Sequence, residues 1–251
     1  MSETKVLRAP DGSDFDVYVA RPAGVPRAGL VLIHEIWGLV DHIRDVADRF
    51  AAQGYLVAAP DVLSHGGVAP ALGAELFALM NDPDENVRLE AQPRMREAMS
   101  EMRSPDYAGW AVGALRAAVD WLETQEGVDG RIGAVGFCFG GTFAYLLAAS
   151  DDRIRAAVPF YGTAPSPDRI RDISAPVLAL YGQHDPALMD ALPDVRERMT
   201  EAGVDFETVV YPEAGHAFFN DTGSRYRAGE AADAWQRTLA FLGEQLGSDA
   251  G

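Results

Sequence analysis

The chain has 251 residues, 48% of them hydrophobic, with 38 acidic against 21 basic side chains and a formal net charge of −17. That length suits one large domain with a sizeable core, acidity spread along the chain excludes the basic patches that nucleic-acid binding needs, and a single cysteine excludes an internal disulfide or a multi-cysteine metal site. No apolar run approaches the ~18 residues of a membrane span and residues 1–5 carry no signal-peptide core, so the expected setting is cytoplasmic, away from membranes.

Residues 5–8 and 15–20 alternate like strands, and Pro10–Ser13 is a turn signal, so the chain should open with a hairpin. Ala28–Ile33 is a continuous apolar run that reads as a central, fully buried strand. A helix is predicted from about Asp41 to Gln53, with Ile43, Val46, Ala47, Phe50 and Ala51 on one face and Gly54 at its end. Tyr55–Ala59 is the next strand. From about 62 to 106 the alternation stops. The stretch is rich in Ala, Met, Glu and Arg, carries Pro and Gly breaks, and has no strand signal; it is expected to be a helical, cap-like insertion over a pocket. A long helix from Asp106 to Glu123 follows, then a strand at 131–135 and a helix at 142–149. Strands at 154–161, 176–181 and 206–211 alternate with helices to the C-terminus, where Trp235, Leu239, Leu242 and Leu246 are predicted to face the core. Strands alternating with helices imply an α/β fold with a mostly parallel sheet, helices on both faces and an antiparallel hairpin at one edge. With no repeat and no linker, residues 1–251 read as one domain.

The chemistry centres on Gly136, Cys138 and Gly140, between the apolar strand at 131–135 and the helix at 142–149. A nucleophile at a sharp strand-to-helix turn, with glycine two residues before and after it, has the form of a nucleophile elbow with Cys in place of Ser. The helix N-terminus aims free N–H groups at the sulfur, which favours a thiolate and then an oxyanion. In open α/β sheets sites form beyond the carboxyl ends of strands, and two partners fall there: Asp185, after the strand at 176–181, and His216, after the strand at 206–211. Nucleophile, acid, histidine is the chain order of α/β-hydrolases. His216 would take the thiol proton and pass it to the leaving group, and Asp185 would fix the imidazole tautomer. Oxyanion-hole donors are expected at the backbone N–H of Phe139 and, in the loop after the strand at 28–33, of Ile36.

Four separated motifs make the pattern more specific: His34–Gly38, Gly136–Gly141, Gln183–Asp185 and Ala214–Phe218. Together they resemble the dienelactone hydrolase (carboxymethylenebutenolidase) family over nearly the whole chain. The resemblance implies an α/β-hydrolase fold, a Cys138–His216–Asp185 triad, a thioester acyl-enzyme and no cofactor. It also implies that Glu35 holds the resting thiol and takes its proton as substrate binds; a thiol kept neutral at rest is protected from oxidation. Family members that cleave dienelactones grip the substrate carboxylate with two arginines. Counting back from the long helix puts the first at Arg96, with Arg94 and Arg103 as rivals. The second position holds Asn220, which brings no charge to such a clamp. Trp37 and Phe218 are further candidates for contact with substrate.

The resulting expectation is a cofactor-independent hydrolase of a small lactone or activated ester, monomeric or homodimeric. A small-ligand-binding protein without turnover on the same fold is the alternative, and the complete Cys–Asp–His set argues against it. Thiol redox sensing is disfavoured because no second cysteine could resolve a sulfenic acid. His34, His42, His65 and His184 lack metal-ligand spacing and read as surface residues or as supports for other side chains; no metal is expected.

Overall fold

The computed structural model describes residues 1–247. Two strands, β1 (Ser2–Arg8) and β2 (Asp14–Ala20), form the expected antiparallel hairpin. They lead to β3 (Ala28–Ile33), α1 (Asp41–Ala52) and β4 (Tyr55–Pro60). The stretch from 62 to 106 has no strand. It holds α2 (Pro70–Met80) and α3 (Glu85–Ala98) between single 3₁₀ turns at Ser64–Gly66 and Glu101–Arg103. Then come α4 (Pro105–Glu123), β5 (Ile132–Phe137), α5 (Phe139–Ala148), β6 (Ile154–Phe160) and the one-turn α6 (Pro167–Ile170). The chain finishes with β7 (Val177–Gly182), α7 (Pro186–Glu201), β8 (Phe206–Tyr211) and α8 (Ala228–Gln245).

The eight strands form one sheet in the order β1-β2-β4-β3-β5-β6-β7-β8. The hairpin joins β4 antiparallel, and every pairing from β4 to β8 is parallel. This is an α/β-hydrolase arrangement, and it brings the carboxyl ends of β3, β5, β6, β7 and β8 to one rim. Side chains of a strand alternate between faces, so a run buried on both sides feeds two cores. In β3, Val31 and Ile33 pack with α4 and α5, whereas Leu30 and Leu32 pack with α1 and α8. Among the described residues no helix is long and apolar enough to cross a membrane.

Two local expectations are corrected, and one short helix is new. The buried ridge of α8 is Ala231, Ala234, Thr238 and Leu242, with Trp235 and Leu239 only partly covered on its flank. Small side chains let the helix approach the sheet closely, and the larger ones fill the margin. The helix α6 has no counterpart in the sequence reading. Pro93, read as a break, lies inside α3.

One packing detail joins the insertion to the rim. A Cβ built on Gly73 of α2 would lie 1.8 Å from the carbonyl oxygen of Trp37, so that helix rests directly on the backbone of the loop after β3.

Candidate active site

The elbow is strained where it carries its nucleophile. Cys138, between β5 and α5, has φ 56° and ψ −114°, a conformation that non-glycine residues rarely adopt and that costs about 1–3 kcal/mol. The turn is tight enough that a Cβ on Gly136 would fall 2.0 Å from the carbonyl oxygen of Gly140. Cys138 is held from both sides, its N–H donating to Phe160 O and its carbonyl accepting from Thr142 N.

The loops after β7 and β8 deliver the other two residues. They are tied together by His184 N donating to Ala214 O at 2.8 Å. His216 Nδ1 lies 2.6 Å from Asp185 Oδ2, and His216 Nε2 lies 3.0 Å from Cys138 Sγ. With Asp185 accepting from Nδ1–H, the other ring nitrogen faces the sulfur as a proton acceptor. The three residues named from sequence are thus one connected chain of contacts.

Burial, and secondarily the negative charge of Glu35, push the Cys138 thiol up to about 12, against hydrogen bonds from the backbone N–H groups of Phe139 and Ile36. The sulfur at rest is therefore a neutral thiol. The two N–H groups named from sequence as oxyanion donors converge on it from separate segments, one opening α5 and one in the loop after β3.

Glu35 is buried at 2% exposure. Its Oε2 accepts from Asn220 Nδ2 at 2.6 Å and its Oε1 from the Tyr161 hydroxyl at 3.2 Å. Burial raises its carboxyl to about 7, and the two donors pull it back towards the ionised form. Asn220, named from sequence as a substrate contact, has its amide oriented by its own carbonyl oxygen, which accepts from the N–H and hydroxyl of Thr222. In the structure its amide nitrogen is thereby aimed at Glu35. Tyr161 was not named. It directly follows β6 with φ 39°, its ring 5.1 Å from that of His216, and its place just past the strand beside the elbow strand was the available signal.

A cavity of about 430 Å³ adjoins this group. Its walls include Ile36, Trp37, Ala217 and Asn220 from the rim, Phe77 and Met80 from α2, and Arg88 and Met95 from α3. Cys138 itself is not in its wall. Trp37, named from sequence, meets Phe77 edge to face at 5.3 Å. Two other named residues are not brought here. Phe218 is fully buried among Phe160, Tyr161 and Tyr211. Arg96 is exposed on α3, and its rival Arg94 pairs with Glu75 at 2.9 Å; the side chain of Arg103 lies outside the described residues. The gapless count to Arg96 lands on a face of α3 other than the one that lines the cavity. Among the described residues the charged side chains of the wall are Arg88 and Arg225, neither of which the sequence reading singled out. Among those residues no group of three or more His, Cys, Asp or Glu side chains could hold a metal ion.

A family model described as the dienelactone hydrolase family matches residues 15–246. A protein of Saccharolobus solfataricus provisionally named carboxymethylenebutenolidase is 32% identical over 96% of this chain and 98% of its own length. A protein of Methylorubrum extorquens with the same provisional name is 34% identical over 88% of this chain and 73% of its own. Among solved structures, one from Klebsiella pneumoniae, provisionally described as a dienelactone hydrolase, superimposes with a TM-score of 0.80 at 30% identity, covering 97% of this chain and 99% of that one.

Proposed function

Because the chain belongs to the dienelactone hydrolase family and is a lactone or ester hydrolase of that kind, we propose that it acts by acyl transfer to Cys138, with His216 and Asp185 as the proton-handling pair. The observation that carries this reading is the short path from sulfur to His216 to Asp185, 3.0 Å and 2.6 Å. A thiol at about 12 is no nucleophile at neutral pH, so attack has to be coupled to loss of its proton. His216 Nε2 takes that proton as the Sγ–C bond forms. The carbonyl oxygen becomes an oxyanion between the N–H groups of Ile36 and Phe139. Collapse breaks the C–O bond of the ester or lactone, the proton passes from His216 to the departing oxygen, and a thioester remains. Water, deprotonated by His216, then releases the acid and restores the thiol.

Glu35 acts through its charge. Its carboxylate is engaged by Asn220 and Tyr161, and it raises the thiol rather than bonding it. We assign it the part of keeping the sulfur protonated until a substrate carbonyl arrives, which guards it from oxidation. The test of the covalent route is to quench the enzyme with an aryl acetate early in turnover and weigh the intact protein. One acetyl group on Cys138, lost on longer incubation, is expected; an unmodified thiol throughout would sink the route.

The cavity suggests the substrate. In a chain of net charge −17, the charged residues of this wall are both arginines, beside Trp37, Phe77, Met80 and Met95. An apolar acyl group carrying a carboxylate fits that chemistry, with Arg88 and Arg225 in the part first sought at Arg96. A charge-assisted hydrogen bond contributes about 1.5–3 kcal/mol. Arg225→Gln is therefore expected to lower the ratio of kcat/KM for a carboxylated lactone over a neutral aryl ester by ~10-fold. An unchanged ratio in a paired assay rejects this assignment.

A further inference from the structure

Acyl transfer uses the half-buried His216 and leaves a fully buried histidine unexplained. His34 follows β3 directly and is fully buried. Its Nδ1 lies 2.7 Å from the carbonyl oxygen of Glu35, and its Nε2 lies 3.2 Å from the backbone nitrogen of Val62. The Val62 N–H can only donate, so Nε2 must be bare and Nδ1 must carry the hydrogen that Glu35 O accepts. Burial lowers the imidazole below its ordinary value, against the opposing charge of Asp61, which agrees with a neutral ring.

The partner of Nδ1 is what matters. The Glu35 carbonyl and the Ile36 N–H belong to a single peptide unit, which is planar and trans, so they point in opposite directions. The oxygen is anchored by His34 Nδ1–H and, at 3.1 Å, by Gly38 N–H, which turns the Ile36 N–H away from the ring; that N–H is one of the two backbone donors that lower the Cys138 thiol. The second donor is braced from the same place. The His34 ring lies parallel to that of Phe139, 5° between planes with centroids 6.1 Å apart. A Cβ on Gly140 would fall 2.6 Å from His34 O, so the elbow helix and the loop also meet backbone to backbone.

We propose that His34 is the positioning residue of the oxyanion hole: a neutral imidazole that, through the Glu35 carbonyl, fixes the direction of the Ile36 N–H. Val62, at the start of the 62–106 insertion, locks the tautomer this requires. The proposal rests on the acyl-transfer reading and extends it to a residue that touches neither substrate nor sulfur.

The experiment compares His34→Leu with His34→Asn in steady-state turnover of an aryl acetate. The two side chains have nearly the same shape, but the Asn amide presents an N–H near the place of Nδ1 and Leu presents none. Loss of one oxyanion donor typically costs ~10²-fold in kcat. His34→Leu is expected to lose about that factor with KM within about twofold, and His34→Asn to recover at least ~10-fold of it. If the Leu variant does not melt as a folded protein, His34→Gln replaces it, because Gln reaches Val62 N but not Glu35 O. Equal losses in the two variants, no loss in either, or a change in KM instead of kcat overturn the role of His34. The wild type and Cys138→Ala are run alongside. A wild type that forms no thioester defeats the acyl-transfer reading itself, whereas one that does confines any failure to His34.

Discussion

Cys138→Ala should lower kcat/KM for an aryl ester by at least ~10⁴-fold, because removing the nucleophile of a triad removes the covalent route and leaves only binding and the oxyanion donors. The fold should hardly notice. The sulfur packs only partly against the core, and Ala carries the same Cβ into the same left-handed backbone, φ 56°, so the strain at the elbow is unchanged. Differential scanning calorimetry is expected to place the melting temperature of Cys138→Ala within a few degrees of wild type, ~1 kcal/mol being worth about 2–4 °C in a chain of this size. The strain has its own signature: Cys138→Gly should be equally inactive and more stable than Cys138→Ala by ~1 kcal/mol, since glycine adopts this φ freely. Wild-type turnover by Cys138→Ala would mean that the ester is cleaved without this sulfur, and would sink the acyl-transfer route through Cys138.

Glu35→Gln should stabilise the protein at alkaline pH and leave it unchanged at acid pH. The carboxyl sits near 7 in the folded chain against an ordinary value of 4.5. Below 4.5 it is protonated in both states and contributes no difference. As pH rises from there to 7 the unfolded chain gives up the proton and the folded one retains it, so the unfolded state gains and stability falls. Above 7 the full penalty is in place, ~3 kcal/mol at 1.36 kcal/mol per pH unit. Gln never ionises, and it can still accept from Asn220 and meet the Tyr161 hydroxyl. Urea unfolding at pH 4.5 and pH 8.5 is the measurement, with a gain of ~3 kcal/mol expected only at the higher pH. The same substitution removes a negative charge that raises the thiol, so iodoacetamide should alkylate Cys138 faster in the variant at pH 8.5. A stability difference independent of pH would mean that Glu35 is not held near 7. Slower alkylation would mean that its charge does not restrain the sulfur.

The legible parts of this molecule are those where one residue type answers one local demand. Ala28–Ile33 appears as a strand at the bounds read from sequence because a parallel strand buried on both faces is an unbroken apolar run; Phe206–Tyr211 also keeps its bounds, as a half-buried edge strand whose β-branched and aromatic residues mark it. The elbow is legible because a turn that puts Gly136 Cβ 2.0 Å from Gly140 O admits no other residue there. Asp185 and His216 follow from their places past strand ends. What chain order does not carry is the direction of a side chain on an irregular segment. The cations of the cavity wall are Arg88 and Arg225, not Arg96, because α3 presents to the cavity the face bearing Arg88 and Met95. Asn220 and Tyr161 meet Glu35 across 185 and 126 residues of chain, a pairing that appears only once β3, β6 and the loop after β8 share a rim. The helix α6 is a single turn following Ser166, too short for any periodicity to show.

The seat of α2 on the Trp37 carbonyl bears on how new specificity could arise. A helix that meets a backbone oxygen where Gly73 has no room for even a methyl group cannot slide or rotate to accommodate a larger residue at that point. Its register against the rim is frozen, while Phe77 and Met80, one and two turns further along, project into the cavity and can change size without disturbing it. Substitution at those two positions alters the shape offered to an acyl group and leaves the Ile36 N–H where it is. Laboratory evolution of substrate range would accordingly find its productive changes along that stripe of the helix and almost none at its foot.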